Sequence, residues 1–321
     1  MCVRARKLEP RSVKVKDRRG QEIGIALTGG LGERLYGYHR CVALAAPALA
    51  EAASGLPDEL VPTEERPLPL VIAAPETKRP DDSKLFETQL LRDLAEQSDV
   101  ALDVEASTVV RHGQAGFAHA LQTAKSLLDE RRPAVCVGGV DTYYHPHVLK
   151  WLDAGYRLHA VGADSGFVPS EGASFLVLSR LPKSAERLGR ILDVEVGEEK
   201  TAASEDEPNI GEAMTVLLES VQERLGVKVP WTITDYNGER HRYREWELAR
   251  GRTVDREAID THWVWETGDV GAASGPLFTT IALLLCRLGC APARQALLAL
   301  HAEAGERGVV VFEGAEGASD G

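Results

Sequence analysis

Two short stretches limit what this chain can fold into. Leu70–Ala74 and Ala134–Val137 are uninterrupted apolar runs, too short for core helices. Both are bracketed by turn residues: four prolines between 57 and 69 precede the first, and Gly138 and Gly139 follow the second. An apolar run without polar alternation reads as a strand covered on both faces, the place of a parallel strand between layers of helix. The intervening segments carry the other period. Val42–Ala53 is rich in Ala and Leu, Ser83 is placed to cap a helix running through Leu94, and a long helix spans about Gln114 to Leu128. In Ile210–Leu225 the apolar residues Met214, Leu217, Leu218, Val221 and Leu225 recur at helical spacing.

Further strands are expected at Ile23–Leu27 (closed by Gly29 and Gly30), Ala173–Leu178, Arg190–Val196, Trp231–Thr234, His262–Trp265, Gln295–Leu300 and Val309–Phe312. Strand–helix alternation in two successive blocks implies an α/β protein of two halves sharing one core, divided near Pro182–Glu186. The expected organisation is a basic segment over 1–20, an N-terminal half over 21–183 and a C-terminal half over 184–321. Ala134–Val140 and Ala173–Leu178 are expected as central strands of the first sheet, with both faces covered.

Composition excludes several classes of function. Forty-nine acidic against thirty-seven basic residues leave a net charge of -12, which disfavours nucleic acid and anionic membrane as partners. No apolar run reaches the roughly 20 residues of a membrane span, and no secretory h-region opens the chain. Five scattered cysteines (Cys2, Cys41, Cys136, Cys286, Cys290) lack metal-ligand or disulfide spacing and read as reduced, buried thiols of a cytoplasmic protein. The basic segment reads as a solvated, partly frayed terminus, with docking of an acidic partner as the sharper reading. His145 and His147 flank a proline in a loop without a third ligand, so no metal is expected. No cofactor is expected; Gly29–Gly32 lacks the spacing and the following Lys-Ser/Thr of a phosphate loop. Tyr143, Tyr144, Trp151 and Tyr156 form an aromatic cluster, read as core or interface packing with ligand contact as the alternative.

Three segments in order carry a family resemblance. The helix from Gly113 leads into a strand ending G-G-V-D at 138–141; G-F-V-P-S-E-G-A-S-F-L-V-L follows at 166–178; G-D-V-G-A-A-S-G stands at 268–275. Together, over roughly residues 85–315, they resemble the β-ketoacyl synthases of the thiolase-like superfamily. The resemblance implies a five-layered α-β-α-β-α sandwich of two related halves, normally a homodimer, with the interface beside Val104, Val109 and Val110. One departure stands at the front, where a basic segment takes the place of the family's opening apolar strand and glycine turn.

The same resemblance locates the family's catalytic positions, and each has changed. The nucleophilic cysteine falls at Gly113, the first histidine at Asn237 and the second at Asp269. Asn237 can donate a hydrogen bond but cannot relay a proton, and Asp269 would repel a malonyl carboxylate. His112 and His241 are the weak substitutes, each with an ordinary surface reading, His241 lying among Arg240, Arg242 and Arg244. The family's glycine-rich loop corresponds to 301–308, which makes Glu303, Gly305, Glu306 and Arg307 the candidate pocket residues and gives the mouth an acidic lean. The leading expectation is a non-catalytic protein of ketosynthase type, a scaffold or a subunit paired with itself, with another thiolase-fold chain or with an accessory partner. An acyl-thioester transferase or hydrolase of altered mechanism and an acyl-ligand binding module are the alternatives.

Overall fold

The computed structural model describes residues 11–159, 165–180, 187–201 and 208–315. The apolar runs become strands buried along their length: β3 (Leu70–Ala73) and β5 (Ala134–Thr142) have no exposed residue. The remaining strands, numbered in chain order, are β1 (Arg11–Lys16), β2 (Glu22–Ile25), β4 (Thr108–Val110), β6 (Glu171–Ser179), β7 (Gly189–Glu198), β8 (Trp231–Thr234), β9 (Ile259–Thr261), β10 (Gln295–His301) and β11 (Glu306–Gly314). The helices are α1 (Gly37–Ser54), α2 (Leu85–Thr88), α3 (Leu90–Ser98), α4 (Gly116–Asp129), α5 (Pro146–Ala154), α6 (Glu212–Leu225), α7 (Arg240–Thr253), α8 (Val264–Thr267) and α9 (Ser274–Arg287).

Two sheets repeat one pattern. The first has the order β4-β3-β5-β6 and the second β9-β8-β10-β11-β7. In each, the central strand is parallel to two neighbours (β3 to β4 and β5; β8 to β9 and β10), and an antiparallel strand follows (β6 on β5; β11 on β10). The helices fill three layers. Leu44, Leu49, Leu90 and Leu94 from α1 and α3 pack on the outer face of the first sheet with Leu70 and Ile72. Phe117, Leu121, Phe278 and Leu283 from α4 and α9 pack between the sheets with Val71, Val135, Leu298 and Val310. Met214, Leu218, Val221 and Trp246 from α6 and α7 cover the far face of the second sheet with Leu297 and Val309. Because alternate side chains of a strand point to opposite faces, Leu70/Ile72 and Val71 fall in different layers. The five layers implied by the resemblance are all present.

Several expectations are corrected. Ala173–Leu178 lies in β6, the edge strand of the described first sheet, half-buried and antiparallel, rather than a central strand. His262–Trp265 is not a strand; β9 ends at Thr261 and α8 begins at Val264. Its alternating bulky residues imitate a strand pattern, but Trp265 points outward, 60% exposed. The helix expected from Ser83 to Leu94 is two, interrupted where Gln89 leaves helical geometry at φ −125°. The opening apolar strand exists as β2, but it pairs with the basic β1 as a hairpin. Val13, Ile23 and Ile25 pack there on Val148, Leu149 and Leu152 of α5, and Arg18 lies over the Tyr156 ring. Thus residues 11–20 are built into the fold and not frayed. Cys41, Cys136 and Cys286 are buried, whereas Cys290 lies beyond the end of α9 and is exposed. The proposed division at Pro182–Glu186 lies outside the described residues, as do residues 1–10 with Cys2.

Candidate functional site

In open α/β sheets the segments just beyond the carboxyl ends of the strands converge, and here those of the two larger sheets do so together. Glu76 follows β3, the turn at Gly113 follows β4, Asp141 and Tyr143 lie at the end of β5, Asn237 follows β8, and the turn 302–305 joins β10 to β11. Gly113 opens the 3-10 turn that feeds α4, with φ +50°, a left-handed conformation that favours glycine. A Cβ added at Gly113 would lie 2.6 Å from Glu76 Oε1 and 2.9 Å from its Cγ. The space that a side chain at 113 would need is therefore held by Glu76.

Glu76 is itself fixed from the β10–β11 turn of the second sheet. Its Oε1 accepts the backbone N–H of Glu303 at 2.7 Å and its Oε2 that of Ala304 at 3.0 Å. Burial pushes this carboxyl above its ordinary value, opposed by the Glu303 N–H. Asp269 Oδ2 accepts from Asn237 Nδ2 at 2.7 Å, and its Oδ1 accepts the Gly271 N–H at 2.8 Å and the Gln114 amide at 3.4 Å. Burial raises the Asp269 carboxyl as well, with Arg242 the main opposing charge. The turns bearing Gly113, Asn237 and Asp269 thus meet, through Gln114.

Around them lies a largely buried ionic network, with the Glu303 side chain at its exposed edge. Arg157 forks onto Glu239 (2.5 and 2.9 Å) and onto Glu303 (2.7 Å to each oxygen). Arg79 binds Asp141 at 2.7 Å and Asp81 at 3.0 Å. Arg242 donates to the His301 carbonyl at 2.8 Å and lies 3.5 Å from Glu239 and 3.6 Å from Glu303. Arg79, Arg157 and Arg242 thus offset part of the expected acidic lean. Among the described residues, Glu76, Gly113, Gln114, Tyr143, Trp151 and Arg157 help to line a cavity of about 20 Å³. That is room for about one water molecule.

Neither of the two substitutes lines the cavity. His112 Nδ1 lies 3.2 Å from Glu306 Oε1, and its ring packs on His119 with centroids 4.6 Å apart. His241 is exposed on α7. Of the four pocket candidates only Glu303 lines the cavity. Gly305 (φ +115°) shapes the turn, Glu306 faces His112, and Arg307 turns away to fork onto Glu245 at 2.5 and 2.8 Å. Tyr143 and Trp151 of the aromatic cluster reach the cavity, whereas Tyr144 donates to the Glu33 carbonyl and Tyr156 is 68% exposed. His145 caps α5, accepting the His147 N–H. Among the described residues no group of three His, Cys, Asp or Glu is placed to hold a metal ion.

Sequence reasoning missed Glu76, Arg79, Gln114 and Arg157, and took Arg242 for a surface residue. Arg242 is buried because α7 presents Arg242, Glu245, Trp246 and Ala249 inward, a helical face whose partly charged residues hide its period. For Glu76 the signal was its place directly after a buried strand.

The motif residues that persist weld the segments together. Gly138 faces Phe175 across the sheet, and a Cβ on it would overlap that ring. Gly139 lies against the Ala272 backbone, and Asp141 Oδ2 accepts the Ala272 N–H at 2.9 Å. Glu171 accepts from Thr28 N–H (2.8 Å), Arg40 Nε (2.5 Å), Arg40 Nη2 (2.7 Å) and Thr142 Oγ1 (2.8 Å).

No family model matches the sequence, and no curated protein does. Solved structures match in fold. A ketosynthase from module 6 of the bacillaene synthase of Bacillus subtilis 168 superposes with a TM-score of 0.66 at 14% identity, over 88% of this chain and 58% of its own. The type II PKS ketosynthase AntDE, solved with its acyl-carrier protein AntF, gives 0.72 at 15% identity over 95% and 92%. The ishigamide ketosynthase/chain length factor gives 0.62 at 18% identity over 91% and 87%. The chain spans about 58–60% of the length of the modular ketosynthases it matches. At these identities the likeness is one of fold.

Proposed function

We propose that this chain, which carries the thiolase-like fold of the β-ketoacyl synthases, is a non-catalytic protein that acts as a scaffold or as one subunit of a ketosynthase-type assembly. The observation that carries the reading is the contact between Glu76 and Gly113. Condensation and decarboxylation need a thiolate at the head of the central helix and groups that polarise a thioester carbonyl. Here the helix head has no side chain, and a carboxylate occupies the space above it. Asn237 and Asp269 are bonded to one another and not aimed into an open site. The cavity of about 20 Å³ has no room for an acyl chain, which weighs against the acyl-binding alternative.

A two-fold assembly is part of the reading. β4 is an edge strand of the described first sheet; half-buried Val109 lies within it and half-buried Val104 shortly before it, whereas Val110 is buried in the core between the sheets. Among the solved neighbours one is a ketosynthase in complex with an acyl-carrier protein and another is a ketosynthase/chain length factor. A second thiolase-fold chain, the same or different, is the partner we assign, through an interface above roughly 1,000 Å². The repeated strand order supports a division into halves at 183/184, with 1–20 as a basic segment. A cytoplasmic setting belongs to the same proposal; among the described residues no helix is long and apolar enough to cross a membrane.

Incubation of the purified protein with acyl-CoA and malonyl-CoA tests the catalytic question. No release of CoA above the protein-free rate is expected. Turnover that disappears in His112→Ala or Asp269→Asn would instead favour the acyl-thioester enzyme of altered mechanism.

A further inference from the structure

Glu76 is a buried carboxylate with no cation within ion-pair distance among the described contacts, 4% exposed and held by two backbone N–H groups 227 and 228 positions away. The two donors are successive amides of one turn, and each bonds a different carboxylate oxygen. Successive N–H groups turned toward one point form a concave anion site. Below the carboxylate lies the bare backbone of Gly113, and beside it the small cavity shared with Gln114, Tyr143, Arg79 and Arg157. We propose that the Glu303–Ala304 turn above Gly113 is a carboxylate-binding notch, that Glu76 is its built-in occupant, and that removing Glu76 opens it to a small monocarboxylate of the acetate class.

The size of the ligand follows from the covalent structure. Truncating Glu76 to Ala removes one methylene and the carboxylate, the heavy atoms of acetate. Both donors then keep their positions in the β10–β11 turn, which other bonds fix. The Ala302 N–H donates to the Glu306 carbonyl at 2.9 Å, and the Gly305 carbonyl accepts from the Glu199 N–H at 2.8 Å. Arg242 draws an anion toward the notch, against burial and the Glu303 carboxylate. The freed notch is thus shaped for acetate and keeps its two N–H donors, while the intact protein keeps it closed.

The test is a thermal melt of Glu76→Ala titrated with sodium acetate, with sodium chloride at equal ionic strength as control and the unaltered protein alongside. A saturable rise in melting temperature with acetate, at millimolar half-saturation and only in the variant, is the expected result. A folded variant that ignores acetate, or an equal response in the unaltered protein, overturns the proposal. Should Glu76→Ala not fold, Glu76→Gln decides. It fills the space but turns an NH2 toward one donor, so amide exchange at Glu303 or Ala304 should accelerate at least tenfold; unchanged protection at both overturns the notch. This inference is independent of the reading above: CoA turnover would defeat the non-catalytic assignment and leave the acetate titration untouched.

Discussion

Replacing Glu171 by Gln removes one atom's worth of charge from the fully buried centre that joins α1, β6 and the turn after β2. The carboxylate accepts four hydrogen bonds, two of them from Arg40, whose side chain has no exposed surface. A glutamine offers one acceptor oxygen and two donor hydrogens, so in either orientation its NH2 faces donors that the carboxylate satisfied. Arg40 keeps its bonds to the Gly32 and Leu35 carbonyls but loses its counter-charge. Breaking one side of such a buried pair costs about 3–5 kcal/mol. Unfolding entropy of about 2 cal/mol/K per residue makes one degree worth roughly 0.7 kcal/mol for a chain of this length. A cost near 4 kcal/mol therefore lowers Tm by about 6 °C, provided the chain melts in one cooperative step. Scanning calorimetry of Glu171→Gln, Arg40→Met and the double variant Arg40→Met/Glu171→Met measures both the cost and the coupling. The double variant is expected to lose at least about 2 kcal/mol less than the summed single variants, because it leaves no lone buried charge. A Glu171→Gln melt within about 1 °C of the parent, or strict additivity, would refute the view that this motif glutamate persists as a weld.

Acid stability should follow the ionic network. Burial pushes the Glu239 carboxyl up, but the hydrogen bonds and charge of Arg157 outweigh it and leave a value of about 2; Glu245, held by Arg307 against the same burial, also falls to about 2. Groups depressed in the folded state stabilise it above their ordinary value of 4.5, and that contribution, on the order of 3 kcal/mol each, is lost as pH falls from about 4.5 to about 2. Glu76, Asp141 and Asp269, raised by burial, act in the opposite sense: their penalty is relieved as pH falls through their raised values toward the ordinary carboxylate range. Urea midpoints should drop steeply below pH 4.5, and less so in Glu239→Gln; parallel profiles would contradict the assignment. In Gly113→Cys the new Cβ meets Glu76, and the backbone strain and overpacking should cost about 1–3 kcal/mol each. Iodoacetamide should label that thiol at least tenfold faster when Glu76→Ala is added, and malonyl-CoA decarboxylation by Gly113→Cys alone would contradict the placement of the site.

The layers were legible because burial on both faces leaves an unbroken apolar run, as at Leu70–Ala74 and Ala134–Val137. The meeting of Gly113, Asn237 and Asp269 was legible only through the order of the motif segments, since no local pattern joins residues that far apart. What filled the site was not legible. Arg157 and Glu76 are single charged residues in segments that also read as loops, and only the three-dimensional contacts distinguish a charge held by protein partners from a solvated one. The strand expected at His262–Trp265 failed for a different reason: His-Trp-Val-Trp alternates like a strand, yet β9 ends at Thr261 and the chain turns into α8 with Trp265 outside.

The central claim is that the head of α4 carries no nucleophile and admits no acyl thioester. Intact-protein mass spectrometry after incubation with acetyl-CoA or malonyl-CoA tests it most directly. An unchanged mass is expected. An acyl adduct that maps to the peptide spanning residues 108–129 would contradict it.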